Sequence, residues 1–268
     1  MYKLRLGKSI SFFKDDFYSQ LEKVKALGYD ALDFDLCAKW TKREEEIEGY
    51  KAIKDGLEAV KSSGLYFNGV HISFGHHWDF SSADENKRAE AMENIAGILP
   101  LIDSYGPHCY VIHGSYEPIP VENRAAQIAA LKRSLGEMLK LTKTTIAVEI
   151  LPRTCLLNTA AEAIEIVDSM NSEQIKVCVD VNHFLQEKSE DGVLALGDRI
   201  VTTHISDHDY VNERHFMPGD GSIDWMALIG SLEKIGYNGV FNYEVSATPE
   251  AIKANYDSLF EKYNSMNS

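Results

Sequence analysis

Residues 176–183 read Lys-Val-Cys-Val-Asp-Val-Asn-His, and this short stretch decides the fold. Its first part is an apolar run rich in valine, which is typical of a strand that is buried on both faces. The run ends at Asp180, and His183 follows three residues later. Chemically active side chains at the carboxyl end of a buried strand are typical of parallel α/β proteins.

Short β-branched or aromatic runs of this kind recur along the chain at roughly even spacing. The predicted strands are Lys3–Ile10, Ala31–Leu36, Tyr66–Ser73, Tyr110–Gly114, Thr144–Ile150, Lys176–Val181, Ile200–Ser206 and Gly239–Val245. Longer segments with apolar residues at helical spacing lie between them, as at Ile128, Leu131, Leu135 and Met138. This alternation, without a long linker, predicts one α/β domain over residues 1–268, a (β/α)8 TIM barrel. A doubly wound open sheet is the alternative.

Helix-start signals support the predicted alternation. Ser82–Glu85 and Thr159–Glu162 match the capping box, in which two side chains satisfy free backbone N–H groups reciprocally. Thr248–Glu250 combines a capping threonine with proline at the first helical position, where the missing N–H has no consequence. We therefore expect Ser82, Thr159 and Thr248 to cap helices.

Composition and charge narrow the classes of function. The formal net charge of −14 repels a phosphate backbone and no Lys/Arg-rich run offsets it, so nucleic acid is not an expected partner. The four cysteines, Cys37, Cys109, Cys155 and Cys178, form no CxxC pair, which favours a reducing compartment over a disulfide framework. Neither a signal-type apolar segment nor an apolar run of bilayer length is present, so we expect a cytoplasmic protein without a membrane partner.

Polar residues at the ends of four predicted strands form the candidate site, which we call the ligand cluster: Glu149, Asp180, His204 and Glu244. The carboxyl ends of parallel barrel strands meet at one end of the barrel, so these side chains should converge. Buried carboxylates repel one another and lose hydration unless a cation lies among them. The cluster therefore predicts a divalent-metal site, whose oxygen-rich ligands suit Mn²⁺, Mg²⁺ or Co²⁺ and also permit Zn²⁺.

Further imidazoles and aromatic rings are predicted at the same end of the barrel. His71 and His113 end the third and fourth strands, and His183 follows the sixth. Phe74, His76, His77 and Trp78 follow the third strand and offer an aromatic wall over a substrate, although a lid or a subunit contact explains them equally well.

The segment Glu213-Arg-His-Phe-Met-Pro-Gly-Asp-Gly221 combines charged side chains with a glycine-rich turn. Its glycines permit positive φ and a close approach of the backbone to a ligand. Arg214 has the fork geometry that binds a carboxylate or phosphate of a substrate. The alternative is an Arg–Glu ion pair on a surface loop.

In their order and spacing, five motifs resemble those of the xylose-isomerase-like TIM barrel superfamily, over nearly the whole chain. This superfamily includes sugar phosphate isomerases and epimerases, ketose 3-epimerases and apurinic/apyrimidinic endonucleases. The motifs are Val-Glu149-Ile-Leu-Pro-Arg153, Val-Asp180-Val-Asn-His183, His204-Ile-Ser-Asp207, Arg214-His215-x-x-Pro-Gly219-Asp-Gly221 and Tyr-Glu244.

Resemblance to the epimerases implies that the ligand cluster holds one metal, which grips a carbonyl oxygen and the neighbouring hydroxyl of a sugar. Glu149 and Glu244 would then act as base and acid on the adjacent carbon, through an enediolate that the metal stabilises. His183 would bind a substrate oxygen, and Arg153 or Arg214 a distal hydroxyl or phosphate. This chain departs from the epimerases after Arg153, where they carry a nearby glutamate and it carries Thr-Cys-Leu.

Resemblance to the apurinic endonucleases implies three zinc ions. The ligand cluster would hold one of them. The other two sets would be His71, His113 and Glu149, and His183, Glu213 and His215. The acidic charge and the lack of basic and aromatic loop residues for gripping DNA weigh against this activity. In a sugar enzyme, His71 and His113 would line the substrate pocket or hold a second metal.

The sequence therefore favours a divalent-metal-dependent isomerase or epimerase of a small sugar, sugar phosphate or polyol derivative. The alternatives are a tri-zinc-like phosphoesterase, a dehydratase of a keto-inositol-like substrate, and a sugar-binding barrel without enzymatic activity. The outer helices carry apolar stripes, but every barrel helix needs such a stripe to pack on the strands. The stripes therefore neither indicate nor exclude a homo-oligomer.

Overall fold

Parallel strands close into the predicted barrel in a computed structural model, which describes residues 1–12, 14, 16–36 and 43–267. For residues 43–48 it describes the helical backbone alone, and Cys37 lies outside the described residues. The strands are β1 (Arg5–Ser11), β2 (Ala31–Asp35), β3 (Tyr66–His71), β4 (Cys109–Ile112), β5 (Thr145–Glu149), β6 (Ile175–Asp180), β7 (Ile200–Ile205), β8 (Asp207–His208), β9 (Glu213–Phe216) and β10 (Val240–Tyr243).

The barrel order is β1-β10-β7-β6-β5-β4-β3-β2, and β1 returns to pair with β2. The short strands β8 and β9 form an antiparallel ribbon beyond the end of β7. The helices are α1 (Phe17–Ala26), α2 (Arg43–Ser63), α3 (Glu85–Asp103), α4 (Val121–Leu141), α5 (Ala160–Ser169), α6 (Ser189–Leu196), α7 (Trp225–Lys234) and α8 (Pro249–Met266). The closed barrel confirms the predicted fold and removes the open sheet from consideration.

Two of the three predicted helix caps are correct. Thr159 accepts a hydrogen bond from Glu162 N, and Thr248 accepts one from Ala251 N ahead of Pro249. The predicted cap at Ser82 is wrong, because Asp84 caps α3 through a hydrogen bond from Asn86 N. Ser82 N–H instead donates to Asp79 O in the turn before the helix.

The interior of the barrel is partly polar, although barrel interiors are mostly filled by branched apolar side chains. Asp33, Asn68, Thr202 and Asn242 are buried within it. Gly69 leaves room for this group, since a Cβ atom at that position would lie 3.2 Å from the Asp33 carboxylate. The polar interior lies beneath the carboxyl ends of the strands that carry the candidate site.

The cysteines and the helices relate to the predictions about disulfides and membrane spans. Cys109, Cys155 and Cys178 are buried free thiols. Burial raises the pKa of the Cys155 and Cys178 thiols to about 12, so both are neutral at physiological pH. Among the described residues, no helix is long and apolar enough to cross a membrane.

Candidate active site and metal centre

Neighbouring strands bring the four residues of the ligand cluster together, as predicted. Glu149 and Asp180 are the last residues of β5 and β6, His204 lies near the end of β7, and Glu244 directly follows β10. The register pairs Asp180 with His204 across the β6–β7 contact. One ligand atom from each of the four residues lies within 4.8 Å of every other.

His204 Nδ1 contacts two of the three carboxylates. It lies 3.0 Å from Glu149 Oε1 and 2.9 Å from Glu244 Oε2. Glu149, Asp180 and His204 are almost completely buried, whereas the Glu244 side chain is 31% exposed. The cluster is therefore enclosed on the barrel side and open to solvent at Glu244.

The donor set fits a divalent cation. A single N–H at His204 Nδ1 can donate to only one of the two glutamates, and its hydrogen bond goes to Glu149. Within the described part of the chain, the buried Glu244 Oε2 and Asp180 Oδ2 accept no hydrogen bond. Buried carboxylate oxygens that accept no hydrogen bond are costly, and a cation among the four ligands satisfies them together.

Burial and mutual attraction shift the pKa values within the cluster. Burial raises the pKa of Asp180 to about 6. Burial alone would lower the pKa of His204, but its acidic neighbours Cys178, Glu244 and Glu149 outweigh it and hold that pKa well above its ordinary value. Glu149 is also buried, yet His204 and His113 keep its pKa well below the ordinary range. Without a metal, the cluster is thus a protonated imidazole among carboxylates.

Metal binding to the cluster is therefore expected to release about one proton at pH 7, because a ligating imidazole must be neutral. The affinity for Mn²⁺ should fall as the pH decreases, and more steeply below about 6, where Asp180 also takes up a proton. Isothermal titration calorimetry in two buffers of different ionisation enthalpy counts the protons released. A count of zero at pH 7 would contradict the assignment of His204 as a ligand.

His71 and His113 lie on the other side of Glu149. The Nε2 atom of each is 3.1 Å from Glu149 Oε2. His71, Glu149 and His204 also satisfy the geometry of a metal-binding group. The exposed Phe74 ring stacks on His113 at 4.4 Å between centroids. These side chains form one wall of the site.

A second wall is formed by His183 and the charged residues above it. His183 Nδ1 donates to Ile150 O over 2.8 Å, and its Nε2 lies 3.2 Å from Glu213 Oε2. Arg153 Nη1 lies 3.0 Å from Glu213 Oε1, and the same guanidinium binds Glu117. In the described residues, Glu213 is thus paired with a histidine and an arginine and belongs to no metal-binding group.

Three further residues predicted from the sequence have other partners. Arg214 Nε donates to Asp209 Oδ2 over 2.7 Å, so Arg214 forms a surface ion pair, with aspartate rather than glutamate. His215 Nδ1 lies 3.2 Å from Glu244 O. Trp78 is buried and lines a separate cavity of about 400 Å³ whose described lining contains none of the ligand cluster. The substrate-binding roles of Arg214 and Trp78 remain predictions.

Two asparagines and one glutamate were missed by the sequence reasoning. Asn68 and Asn242 bind Asp33 beneath the cluster, and Glu117 binds Arg153 above it. The signal for the asparagines was present, since amides inside runs of the type Tyr-Phe-Asn-Gly-Val interrupt an apolar strand. Glu117 gave no comparable signal, because it lies in a loop and its partner is distant in the sequence.

Comparison with known proteins gives relatives in sequence and a similar crystal structure. The chain is 26% identical over 240 residues to a D-psicose 3-epimerase of Enterocloster bolteae, covering 84% of this chain and 75% of that protein. It is 25% identical over 247 residues to an L-ribulose 3-epimerase of Mesorhizobium japonicum, covering 88% of this chain and 77% of that protein. A crystal structure of a D-tagatose 3-epimerase-like protein superimposes with a TM-score of 0.82 at 20% identity, covering 99% of this chain and 100% of that chain. This structural likeness shows a shared fold.

A match to a protein-family sequence model assigns the chain to a family. The model described as xylose isomerase-like TIM barrel matches residues 21–262 and so includes every residue of the ligand cluster. The match agrees with the closed barrel and with the convergence of the four side chains at the carboxyl ends of its strands. The chain belongs to the xylose isomerase-like TIM barrel family.

Proposed function

We propose that this protein is a divalent-metal-dependent isomerase or epimerase that acts on a small sugar, sugar phosphate or polyol derivative. The observation that carries the proposal is the convergence of three carboxylates and one imidazole in a buried cluster that opens to solvent at Glu244. The similarity to D-psicose and L-ribulose 3-epimerases supports the same class of reaction.

Glu149, Asp180, His204 and Glu244 would hold the cation, with Mn²⁺, Mg²⁺, Co²⁺ and Zn²⁺ as the candidates. When bound, such a cation would polarise a substrate carbonyl and would stabilise the negative charge that develops when the adjacent carbon loses a proton. The protein fixes the position of the donors, because three of them belong to strands rather than loops. A site held by strands keeps its geometry more accurately than one held by loops.

Glu149 and Glu244 would exchange protons with the substrate carbon. They lie on separate strands and reach His204 Nδ1 through different oxygens. Burial opposes ionisation of Glu244, but His204 outweighs it and lowers the pKa to about 2. Glu244 is therefore ionised at neutral pH on the open side of the site, while Glu149 remains on the buried side.

The surrounding walls would orient the substrate. His71, His113 and His183 present imidazoles around Glu149, which suits hydrogen bonding to sugar hydroxyls. The exposed face of Phe74 offers an apolar surface for the C–H side of a sugar ring. Arg153 lies at the rim, where it would bind a distal hydroxyl or phosphate.

Solvent deuterium exchange tests the proposal. The metal-stripped protein would be reloaded with each candidate ion and incubated in D₂O with a panel of ketoses, aldoses and their phosphates. We expect deuterium to enter a carbon adjacent to the carbonyl of at least one substrate, as detected by NMR or mass spectrometry, and only when metal is present. Absence of exchange across the panel in protein shown to bind the metal would refute the proposed reaction.

A metal-dependent phosphoesterase is the second candidate, and the metal-binding geometry of His71, Glu149 and His204 is the observation that favours it. It requires more than one metal per chain, whereas the ligand cluster alone requires one. Elemental analysis of the protein together with a phosphodiester assay separates the two candidates. One metal per chain and no phosphodiester cleavage would leave the isomerase.

A further inference from the structure

A buried carboxylate lies beneath the ligand cluster, in the polar interior of the barrel. Asp33 on β2 is completely buried, and both of its oxygens have partners. Asn68 Nδ2 donates to Oδ1 over 2.6 Å, and Asn242 Nδ2 donates to Oδ2 over 3.1 Å. The carboxylate is thus held from two sides by amides on β3 and β10, which fixes its orientation.

The same Oδ2 atom faces the metal-ligand candidate His204. The distance from His204 Nε2 to Asp33 Oδ2 is 3.4 Å, while Nδ1 on the opposite side of the ring faces Glu149 and Glu244. A neutral imidazole carries a proton on one nitrogen and a lone pair on the other. If Nε2–H points to Asp33, the lone pair of Nδ1 points into the ligand cluster.

The surroundings of Asp33 favour a functional role for this buried carboxylate. A buried carboxylate without a compensating function destabilises a fold, and an apolar residue of similar volume is often better tolerated. This chain instead holds the group with two amide side chains, those of Asn68 and Asn242. It also places glycine at position 69, where a Cβ atom would lie 3.2 Å from the carboxylate. The interior is built around Asp33.

We propose that Asp33 is a positioning residue for the metal site, which orients His204 so that Nδ1 faces the cation and Nε2–H faces Asp33. A carboxylate behind a ligating histidine fixes its tautomer and ring orientation and raises its basicity. The proposal rests on the metal site of the proposed function and is independent of the sugar chemistry.

The test measures metal affinity in the metal-stripped full chain, without a substrate. Free Mn²⁺ is quantified by electron paramagnetic resonance in titrations of the wild type and of Asp33→Ala. We expect Asp33→Ala to bind Mn²⁺ about 10–100-fold more weakly, the range found when such supporting partners are removed. In the Zn²⁺-loaded protein labelled with ¹⁵N-histidine, we expect His204 to show a zinc-bound Nδ1 and a protonated Nε2, and Asp33→Ala to alter this pattern.

Thr202→Val is the matched control. Thr202 is buried in the same interior and binds Asn68, so the variant removes a polar contact of the network while keeping Asp33 and its contact with His204. We expect it to bind Mn²⁺ as the wild type does. If Asp33→Ala does not fold, Asp33→Asn keeps the volume of the side chain but cannot accept hydrogen bonds at both ends, and it should also weaken binding.

The outcomes are distinct. Wild-type affinity in the folded Asp33 variants would overturn the proposal, as would an equal loss in Thr202→Val or a wild type that binds none of the candidate ions. A protein that binds Mn²⁺, loses affinity through Asp33→Ala and exchanges no deuterium with any sugar would refute the proposed reaction and leave the role of Asp33 supported.

Discussion

Glu149→Gln is expected to reduce metal-dependent proton exchange by at least about 10²–10⁴-fold, the range typical for loss of a positioned acid or base. Glutamine keeps the shape of the side chain but removes its charge and one acceptor. Glu149 Oε1 faces His204, and Oε2 faces His71 and His113, so an amide nitrogen at either position meets a donor. The substitution therefore disturbs the metal ligand and the wall of histidines together.

Deuterium incorporation into the substrate, measured at saturating metal, gives the rate. Glu173→Gln is the matched control, because it makes the same chemical change at a fully exposed residue that precedes β6 at the opposite end of the barrel. It should leave the rate unchanged. Retention of more than about a tenth of the wild-type rate in Glu149→Gln would exclude Glu149 as an acid or base.

Asp180→Asn is expected to abolish stabilisation by metal while leaving the metal-free protein as stable as the wild type or more so. A ligand present at 100 times its dissociation constant raises the free energy of unfolding by about 2.7 kcal/mol, and this increment should disappear with Asp180. Asparagine can still accept the hydrogen bond from Asn182 N, which Asp180 Oδ1 accepts over 2.8 Å. The local turn after β6 is therefore preserved.

The stability of the metal-free protein follows from the pKa of Asp180. Burial raises that pKa to about 6, whereas an aspartate in an unfolded chain titrates near 4. Between these values the folded state binds more protons than the unfolded state, so the contribution of Asp180 to stability declines as the pH rises from about 4 to about 6. At pH 7 the buried charge is a net cost in the absence of metal, and the amide removes it.

Thermal unfolding with and without Mn²⁺ measures both effects at pH 7, with Asp168→Asn as the control. Asp168 lies on α5 and pairs with Arg199 at the surface, so its substitution should leave the metal-induced increase in Tm intact. A metal-induced increase in Asp180→Asn equal to that of the wild type would contradict the assignment of Asp180 as a ligand.

The fold and the ligand cluster could be predicted from the sequence for one physical reason. A parallel strand that is buried on both faces leaves an uninterrupted apolar run, and Glu149, Asp180 and Glu244 stand where such runs end. Because the barrel brings all those strand ends together, the positions of these residues along the chain predicted that their side chains lie close together. Strand boundaries differ by one or two residues, as at β10, where pairing stops at Tyr243 and leaves Glu244 beyond the strand.

The ion-pair partners of the loop residues could not be predicted from the sequence. The pairing of Arg153 with Glu117 and of Arg214 with Asp209 depends on how loops of different strands pack, and no periodicity encodes it. The cap at Asp84 was missed because two capping residues stood close together and the turn at Asp79 decided between them. Asp33 stands out in the sequence as a polar residue in a strand, but its hydrogen bonds with Asn68 and Asn242 could not be predicted, because these residues are distant in the sequence.

The ion pairs of Arg153 have a consequence for engineering this enzyme. Arg153 has a positive φ of 54° and joins the loop after β5 to Glu117 in the loop after β4 and to Asn212 and Glu213 at the β8–β9 ribbon. One guanidinium thus connects these three surface segments through ion pairs and a hydrogen bond. Grafting a single loop from a relative would leave charges without counterparts on the other two, so we expect loop exchange on this scaffold to preserve stability only when the three segments are exchanged together.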